Sequence, residues 1–176
     1  PEARDRGVGV PTSSYTRHHV NITMCKAKAN GNYINSILAL REAIDSGCEE
    51  ALMLDNEGYV AEGSGENFFI VRDGVIYTPD LTSCLEGITR DAIFQIAHDE
   101  GYEVREKRIT RDEVYICDEA FFTGTAAEVV PVRELDSRQI GAGGRGPITE
   151  KLQSIYLQAV RGEQARYRDW LTPVAN

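Results

Sequence analysis

The chain has 176 residues, of which 41% are hydrophobic, and a formal net charge of -9. This length is enough for one domain with a substantial core. An acidic chain offers no basic surface for phosphate backbones or anionic lipid, which excludes nucleic acid and membrane surfaces as partners. No apolar run approaches the roughly 20 residues that cross a bilayer, and the first residues are charged, so a cytoplasmic protein is expected.

The four cysteines are Cys25, Cys48, Cys84 and Cys117. They are widely spaced, with no CxxC pair and no histidine at ligand spacing. This pattern predicts neither a metal site nor a disulfide framework. We expect reduced thiols that pack as small apolar groups.

The predicted elements begin with an interdomain linker over residues 1–12, which are polar and contain glycine and proline. Residues 13–176 are predicted to form one large domain. Alternation over residues 18–25 predicts a strand, and apolar residues at helical spacing predict a helix over residues 35–47. Lys28 would then lie between a strand and a helix.

The rest of the chain mixes short strands with helices. Strands are predicted over residues 51–54, 67–72 and 75–78, and Asp73-Gly74 predicts a type I′ hairpin. A helix over 88–100 and a strand over 103–109 precede a capping box at Thr110–Glu113. Strands over 120–123 and 128–132 follow, and Pro147 opens a last helix toward residue 161. The fold class is therefore α/β or mixed α+β.

Two motifs resemble known sites without the context that these sites require. Residues 141–146 match GxGxxG, but a dinucleotide fold needs a further parallel strand carrying an acid, and the chain ends too soon. We interpret them as an ordinary glycine loop. Asp118 and Glu119 are adjacent in a strand and face opposite sides, so they are not a paired carboxylate.

Four other segments together indicate a site. They are Lys28–Tyr33 (KANGNY), Glu62–Asn67 (EGSGEN), Gly87–Arg90 (GITR) and Gly124–Ala127 (GTAA). The third offers the N–H groups of a helix N-terminus to an anion, and the fourth offers a hydroxyl beside backbone N–H groups. Most lysines are surface groups, but the two anion cradles in the same chain favour a catalytic role for Lys28.

In this order and spacing, the four segments resemble the fold-type IV pyridoxal-phosphate enzymes, and specifically the branched-chain amino-acid aminotransferases. The resemblance covers nearly the whole chain and matches the C-terminal large domain of these class IV aminotransferases. D-amino-acid aminotransferases and aminodeoxychorismate lyases share the lysine and the glycine-isoleucine helix start. Residues 66–69 (ENFF) and 124–129 (GTAAEV) fit the branched-chain branch better.

The resemblance implies a D-amino-acid aminotransferase-like fold, with a large-domain pseudo-barrel and pyridoxal 5′-phosphate as cofactor. It implies transamination of leucine, isoleucine and valine with 2-oxoglutarate by a homodimer or a multiple of dimers. Lys28 would form the Schiff base, Tyr33 would bond the phenolic oxygen, and Glu62 would pair with the ring nitrogen. A carboxylate there keeps the ring protonated and so makes it an electron sink.

The remaining roles that the resemblance implies concern the phosphate and the substrate. The backbone N–H groups of Ile88 and Thr89, with the Thr125 hydroxyl, would hold the phosphate. Thr125 and Ala126 would meet the substrate carboxylate. Glu66 and Asn67 would support the residues that touch the cofactor.

The departures from the family pattern keep other functions open. The family's small N-terminal domain supplies a phosphate-binding arginine and much of the side-chain pocket, and nothing in this chain corresponds to it. Glu86 precedes the phosphate cradle and is expected to point to solvent. The alternatives are a D-amino-acid aminotransferase, a lyase of the same fold type, or a binding module without activity.

Overall fold

The computed structural model describes residues 2–173. The helices are α1 Glu2–Arg6, α2 Ile34–Asp45, α3 Ile88–Asp99, α4 Arg111–Tyr115 and α5 Pro147–Val160. The strands are β1 Val8–Val10, β2 Leu52–Leu54, β3 Val60–Gly63, β4 Asn67–Arg72, β5 Val75–Thr78, β6 Val104–Glu106, β7 Glu119–Gly124, β8 Glu128–Leu135 and β9 Arg138–Gln139. Short 3-10 helices span Asn30–Tyr33 and Ala165–Trp170.

The strands form a large mixed sheet and a small one. The large sheet has the order β1-β8-β7-β4-β5-β6, with β9 paired to β8, and the small sheet is the antiparallel pair β2-β3. Backbone hydrogen bonds join the two sheets on both sides: Leu52 N–H donates to the Pro11 carbonyl and Val60 N–H to that of Ile109, each at 2.9 Å. The sheets thus close into a pseudo-barrel, as the resemblance implies.

Two apolar cores lie on opposite faces of the central strands. Consecutive residues of a strand point to opposite faces. Phe68 and Phe122 therefore pack in the core shared with β1, β2 and β3, with ring centroids 5.1 Å apart. Their neighbours Phe69 and Phe121 stack at 4.9 Å in the core beneath α3 and α5. Strands buried on both faces hold the barrel and the helices together.

Several local predictions are confirmed. Strands β4 and β5 span the predicted residues, and their turn has φ values of 51° at Asp73 and 77° at Gly74, as a type I′ turn requires. Both hydrogen bonds of the Thr110–Glu113 capping box are present. Helices α3 and α5 begin at the predicted residues.

The segment predicted as an interdomain linker, residues 1–12, contains regular secondary structure. Residues 8–10 form β1, which runs parallel to β8, and Val8 and Val10 are only 6% and 1% exposed. The segment continues to Thr12, which bridges to Leu52 of β2. Three residues are too short for a recognisable alternation, and the polar residues that flank them hide the strand.

The strand predicted over residues 18–25 is wrong. This segment consists of turns and irregular chain, and its apolar residues Val20, Ile22 and Met24 are 46%, 72% and 80% exposed. The alternation is real, but the segment pairs with none of the strands in the described part of the chain. Conversely, β3 escapes prediction because it is short and carries a buried carboxylate, that of Glu62.

Candidate active site

One cleft contains eight of the nine site residues that were predicted from the sequence. Its lining includes Lys28, Tyr33, Glu62, Glu66, Asn67, Ile88, Thr89 and Thr125. The ninth residue, Ala126, follows Thr125 in the turn between β7 and β8, where it is exposed and outside the lining. Segments far apart in the sequence thus meet at a single site.

The amine of Lys28 lies within hydrogen-bond distance of a phenol. Its Nζ donates to the Tyr33 hydroxyl at 3.1 Å. The loop between them is fixed by Asn32, whose amide donates to the carbonyls of Ala27 at 2.8 Å and Met24 at 2.9 Å. A 3-10 turn then leads into α2. The lysine is therefore on a loop, but on one held by its own hydrogen bonds.

The neighbouring Lys26 is engaged elsewhere. Its Nζ donates to the carbonyl of Leu81 and, at 3.0 Å, to that of Cys84. These bonds tie the lysine loop to the segment that precedes α3. Lys26 does not line the cleft, so Lys28 is the better placed of the two amines.

Glu62, on β3, brings a buried carboxylate to the cleft. Its Oε1 lies 2.6 Å from Nε of Arg17, and its Oε2 accepts a hydrogen bond from Leu85 N–H at 3.2 Å. Burial raises the pKa of Glu62 to about 7, although Arg17, the Leu85 N–H, Lys26 and Lys28 all act to lower it. Sequence analysis missed Arg17, since an isolated arginine in a polar segment carries no motif.

Asn67 connects Glu62 to the start of α3. Its amide donates to the Leu85 carbonyl at 2.8 Å and lies 3.5 Å from Glu62 Oε2. A Cβ at Gly87 would lie 2.1 Å from Asn67 Oδ1. Residue 87 is therefore glycine because the Asn67 side chain approaches its backbone closely, and not because of an unusual backbone conformation.

The N-terminus of α3 forms an anion cradle at the cleft. Its N-cap is Gly87, which has no side chain to cap the helix. Three threonines line the same cleft, namely Thr89, Thr123 and Thr125. The Thr123 hydroxyl is buried without a hydrogen-bond partner. Free N–H groups, a helix dipole and hydroxyls together favour a phosphate.

Glu66 brings a second carboxyl group to the cleft, and its side chain is half-buried. Burial, and then the nearby Glu50 carboxylate, raise the pKa of Glu66 to about 8. Glu50 itself accepts hydrogen bonds from Ala51 N–H at 2.7 Å and Ser64 N–H at 3.0 Å. Glu66 is therefore protonated near neutral pH and can donate a hydrogen bond.

Other classes of site find no support in the described part of the chain. Across residues 2–173, no group of three or more His, Cys, Asp or Glu side chains is arranged to hold a metal ion. No helix in that range is long and apolar enough to cross a membrane. All four cysteines are free, and burial raises the pKa of the Cys84 and Cys117 thiols to about 12.

A lysine amine, a buried carboxylate and an anion cradle around one cleft define a site of the kind that holds a phosphorylated ring cofactor. The family model described as amino-transferase class IV matches residues 1–135. The chain belongs to the class IV aminotransferase family.

The similar proteins within this family include branched-chain aminotransferases. The branched-chain-amino-acid aminotransferase of Pseudomonas aeruginosa is 64% identical over 173 residues, which are 98% of this chain and 56% of that protein. The structure of the branched-chain aminotransferase of Thermobaculum terrenum, in its PLP form, matches with a TM-score of 0.94 and 43% identity over 98% of this chain and 57% of that one. The structure of the branched-chain aminotransferase of Thermoproteus uzoniensis with norvaline matches with a TM-score of 0.93 and 50% identity. The match covers 97% of this chain and 57% of that one. The chain thus spans a little over half the length of these relatives.

Proposed function

We propose that the full-length protein is a cytoplasmic, pyridoxal-phosphate-dependent branched-chain aminotransferase. It transfers the amino group of L-leucine, L-isoleucine or L-valine to 2-oxoglutarate. The observation that carries this proposal is the single cleft in which Lys28 and Tyr33 face Glu62 and the N-terminus of α3. The branched-chain branch rests on relatives of that name.

The residues of the cleft fit pyridoxal phosphate. The uncapped start of α3, with the Thr125 hydroxyl, suits a phosphate dianion, and the buried Glu62 carboxylate suits a protonated ring nitrogen. The buried Thr123 hydroxyl has no hydrogen-bond partner among the described residues, so it is available to bond a ligand. When bound, this cofactor supplies an electron sink for the negative charge that develops at the substrate Cα.

Each cleft residue then has a defined task. The Lys28 amine holds the cofactor at rest and afterwards moves the proton at the substrate Cα. The Tyr33 hydroxyl, 3.1 Å from that amine, orients it and contacts the phenolic oxygen. Thr125 and Ala126 bind the substrate carboxylate. Glu66 and Asn67 support the residues that contact the cofactor.

The test is an amino-transfer assay of the purified full-length protein with pyridoxal phosphate and 2-oxoglutarate. Glutamate should form with L-leucine, L-isoleucine and L-valine, and hardly at all with D-alanine. Lys28→Ala should abolish turnover, whereas Lys26→Ala should retain most of it. Preference for D-alanine would assign the protein to the D-amino-acid branch instead.

We also propose that the protein is a homo-oligomer. Helix α2 packs through small residues such as Ala39 and Ala43, while Ile34, Ile37, Leu38 and Ile44 on its other side are exposed. These four side chains form an exposed apolar stripe on α2. Ile37→Glu should shift the mass measured by light scattering toward the monomer. Ile116→Glu, at an exposed isoleucine that directly follows α4, is the control.

A further inference from the structure

Arg17 and Glu62 form a buried ion pair that the reaction as described does not use. Their side chains are 6% and 8% exposed, and Nε lies 2.6 Å from Oε1. Burying two charges carries a large desolvation cost before their attraction is counted. An apolar pair would fill the same space at a lower cost. The charges therefore point to a role beyond packing.

Arg17 is held through both its backbone and its side chain. Its backbone N–H donates to the Leu54 carbonyl of β2 at 2.9 Å. Its guanidinium also donates to the Asn32 carbonyl at 3.4 Å, in the loop that carries Lys28. Arg17 thus connects the carboxylate on β3 with the loop of the reactive amine.

The other groups that face Glu62 do not replace Arg17. Lys26 and Lys28 act on it through space, but Lys26 is bonded to two carbonyls and Lys28 to Tyr33. Leu85 N–H and the Asn67 amide approach Oε2 and carry no charge. Cys84 lies nearby as a neutral thiol, since burial raises its pKa to about 12. Within the described residues, Arg17 is the ion-pair partner of Glu62.

We propose that Arg17 is a positioning residue that keeps the Glu62 carboxylate ionised and oriented as the acceptor for the protonated ring nitrogen of the cofactor. This inference rests on the proposed function, in which Glu62 faces that nitrogen. Without Arg17, burial favours the neutral acid. A neutral carboxylic acid cannot neutralise a pyridinium, so the loss of Arg17 would raise the pH above which the cofactor binds tightly.

The experiment measures the affinity of the full-length protein for pyridoxamine phosphate as a function of pH by calorimetry. This probe is chosen because it carries an amine in place of the aldehyde and so forms no covalent bond to Lys28. Glu62→Gln identifies which inflection of the profile belongs to Glu62, since that inflection must vanish. Arg17→Met should move the same inflection upward by about one pH unit or more, while Arg17→Lys should move it less. At neutral pH this corresponds to an affinity loss of about tenfold for Arg17→Met.

Controls separate this inference from the function on which it rests. Arg133→Met removes a cation paired to Glu49, away from the cleft, and should leave the profile unchanged. If Arg17→Met does not fold, the Arg17→Lys profile decides the question. An inflection that stays in place in the Arg17 variant that folds would overturn the role of Arg17. A Glu62→Gln profile identical to wild type would instead refute the role of Glu62 itself.

Discussion

The carboxylate of Glu119 lies at the N-terminus of α5, where its Oε2 accepts hydrogen bonds from the backbone N–H of Thr149 at 2.7 Å and from its hydroxyl at 2.6 Å. Oε1 accepts from Ile148 N–H at 3.0 Å. A Cβ at Gly146 would lie 2.1 Å from Glu119 Cδ. The last glycine of the GxGxxG pattern therefore makes room for an internal carboxylate, which occupies the place of an external phosphate.

Replacing Glu119 by alanine should destabilise the protein. The residue is 6% exposed, and its loss leaves buried N–H groups of α5 without acceptors. We expect a decrease of about 2–4 kcal/mol in the free energy of unfolding, measured in urea. Asp118→Ala is the matched control, because Asp118 is exposed and caps only the Asp73 turn at 2.7 Å. Equal losses in both variants would contradict the capping role of Glu119.

Gly87→Ala should weaken cofactor binding. The new Cβ would collide with Asn67 Oδ1, and the shift would disturb both the Asn67–Leu85 bond and the first turn of α3. We expect pyridoxal phosphate affinity to fall by about tenfold, which is roughly 1.4 kcal/mol. Gly31→Ala is the control, since nothing lies within 4 Å of a Cβ there. An unchanged dissociation constant for Gly87→Ala would show that the cradle tolerates the shift.

Glu66→Gln should make stability less dependent on pH. The folded pKa of Glu66, about 8, lies above its ordinary value of 4.5, so the folded state holds a proton that the unfolded state releases between these values. Stability therefore falls as pH rises from about 5 to about 8. The glutamine variant lacks this loss and should gain stability relative to wild type at the upper end of that window.

The measurement is urea unfolding of cofactor-free protein at both ends of the window. The gain in Glu66→Gln should be on the order of 1–3 kcal/mol larger at about pH 8 than at about pH 5. Glu86→Gln serves as the control, because Glu86 borders the same cleft but is exposed, as the sequence predicted. The same pH slope in wild type and Glu66→Gln would argue against a protonated Glu66.

Borohydride treatment of the protein loaded with pyridoxal phosphate should attach the pyridoxyl group to Lys28. The reason is geometric, since Lys28 lines the cleft next to Tyr33 while Lys26 donates to two backbone carbonyls. Peptide mass mapping locates the adduct. In Lys28→Ala, the adduct should be absent rather than moved to Lys26. An adduct on Lys26 in wild type would reassign the cofactor lysine.

The sequence was sufficient wherever a structure depends on neighbouring residues. The Asp73-Gly74 hairpin, the Thr110–Glu113 capping box and the Pro147 helix start all formed at the predicted residues. Each follows from backbone sterics or from hydrogen bonds within a few residues. The four site segments were also recognisable in the sequence, because their order and spacing resemble those of a known family.

Only the tertiary structure decided which residues became partners across the barrel. Strand β1 exists because β8 pairs with it, and Thr12 just beyond it bridges to β2, whereas the alternating segment 18–25 pairs with none of the described strands. The pairing of Arg17 with Glu62, and the filling of the α5 N-terminus by Glu119, likewise join distant segments. Burial sets the protonation of such groups, and burial is defined only once the sheets have closed.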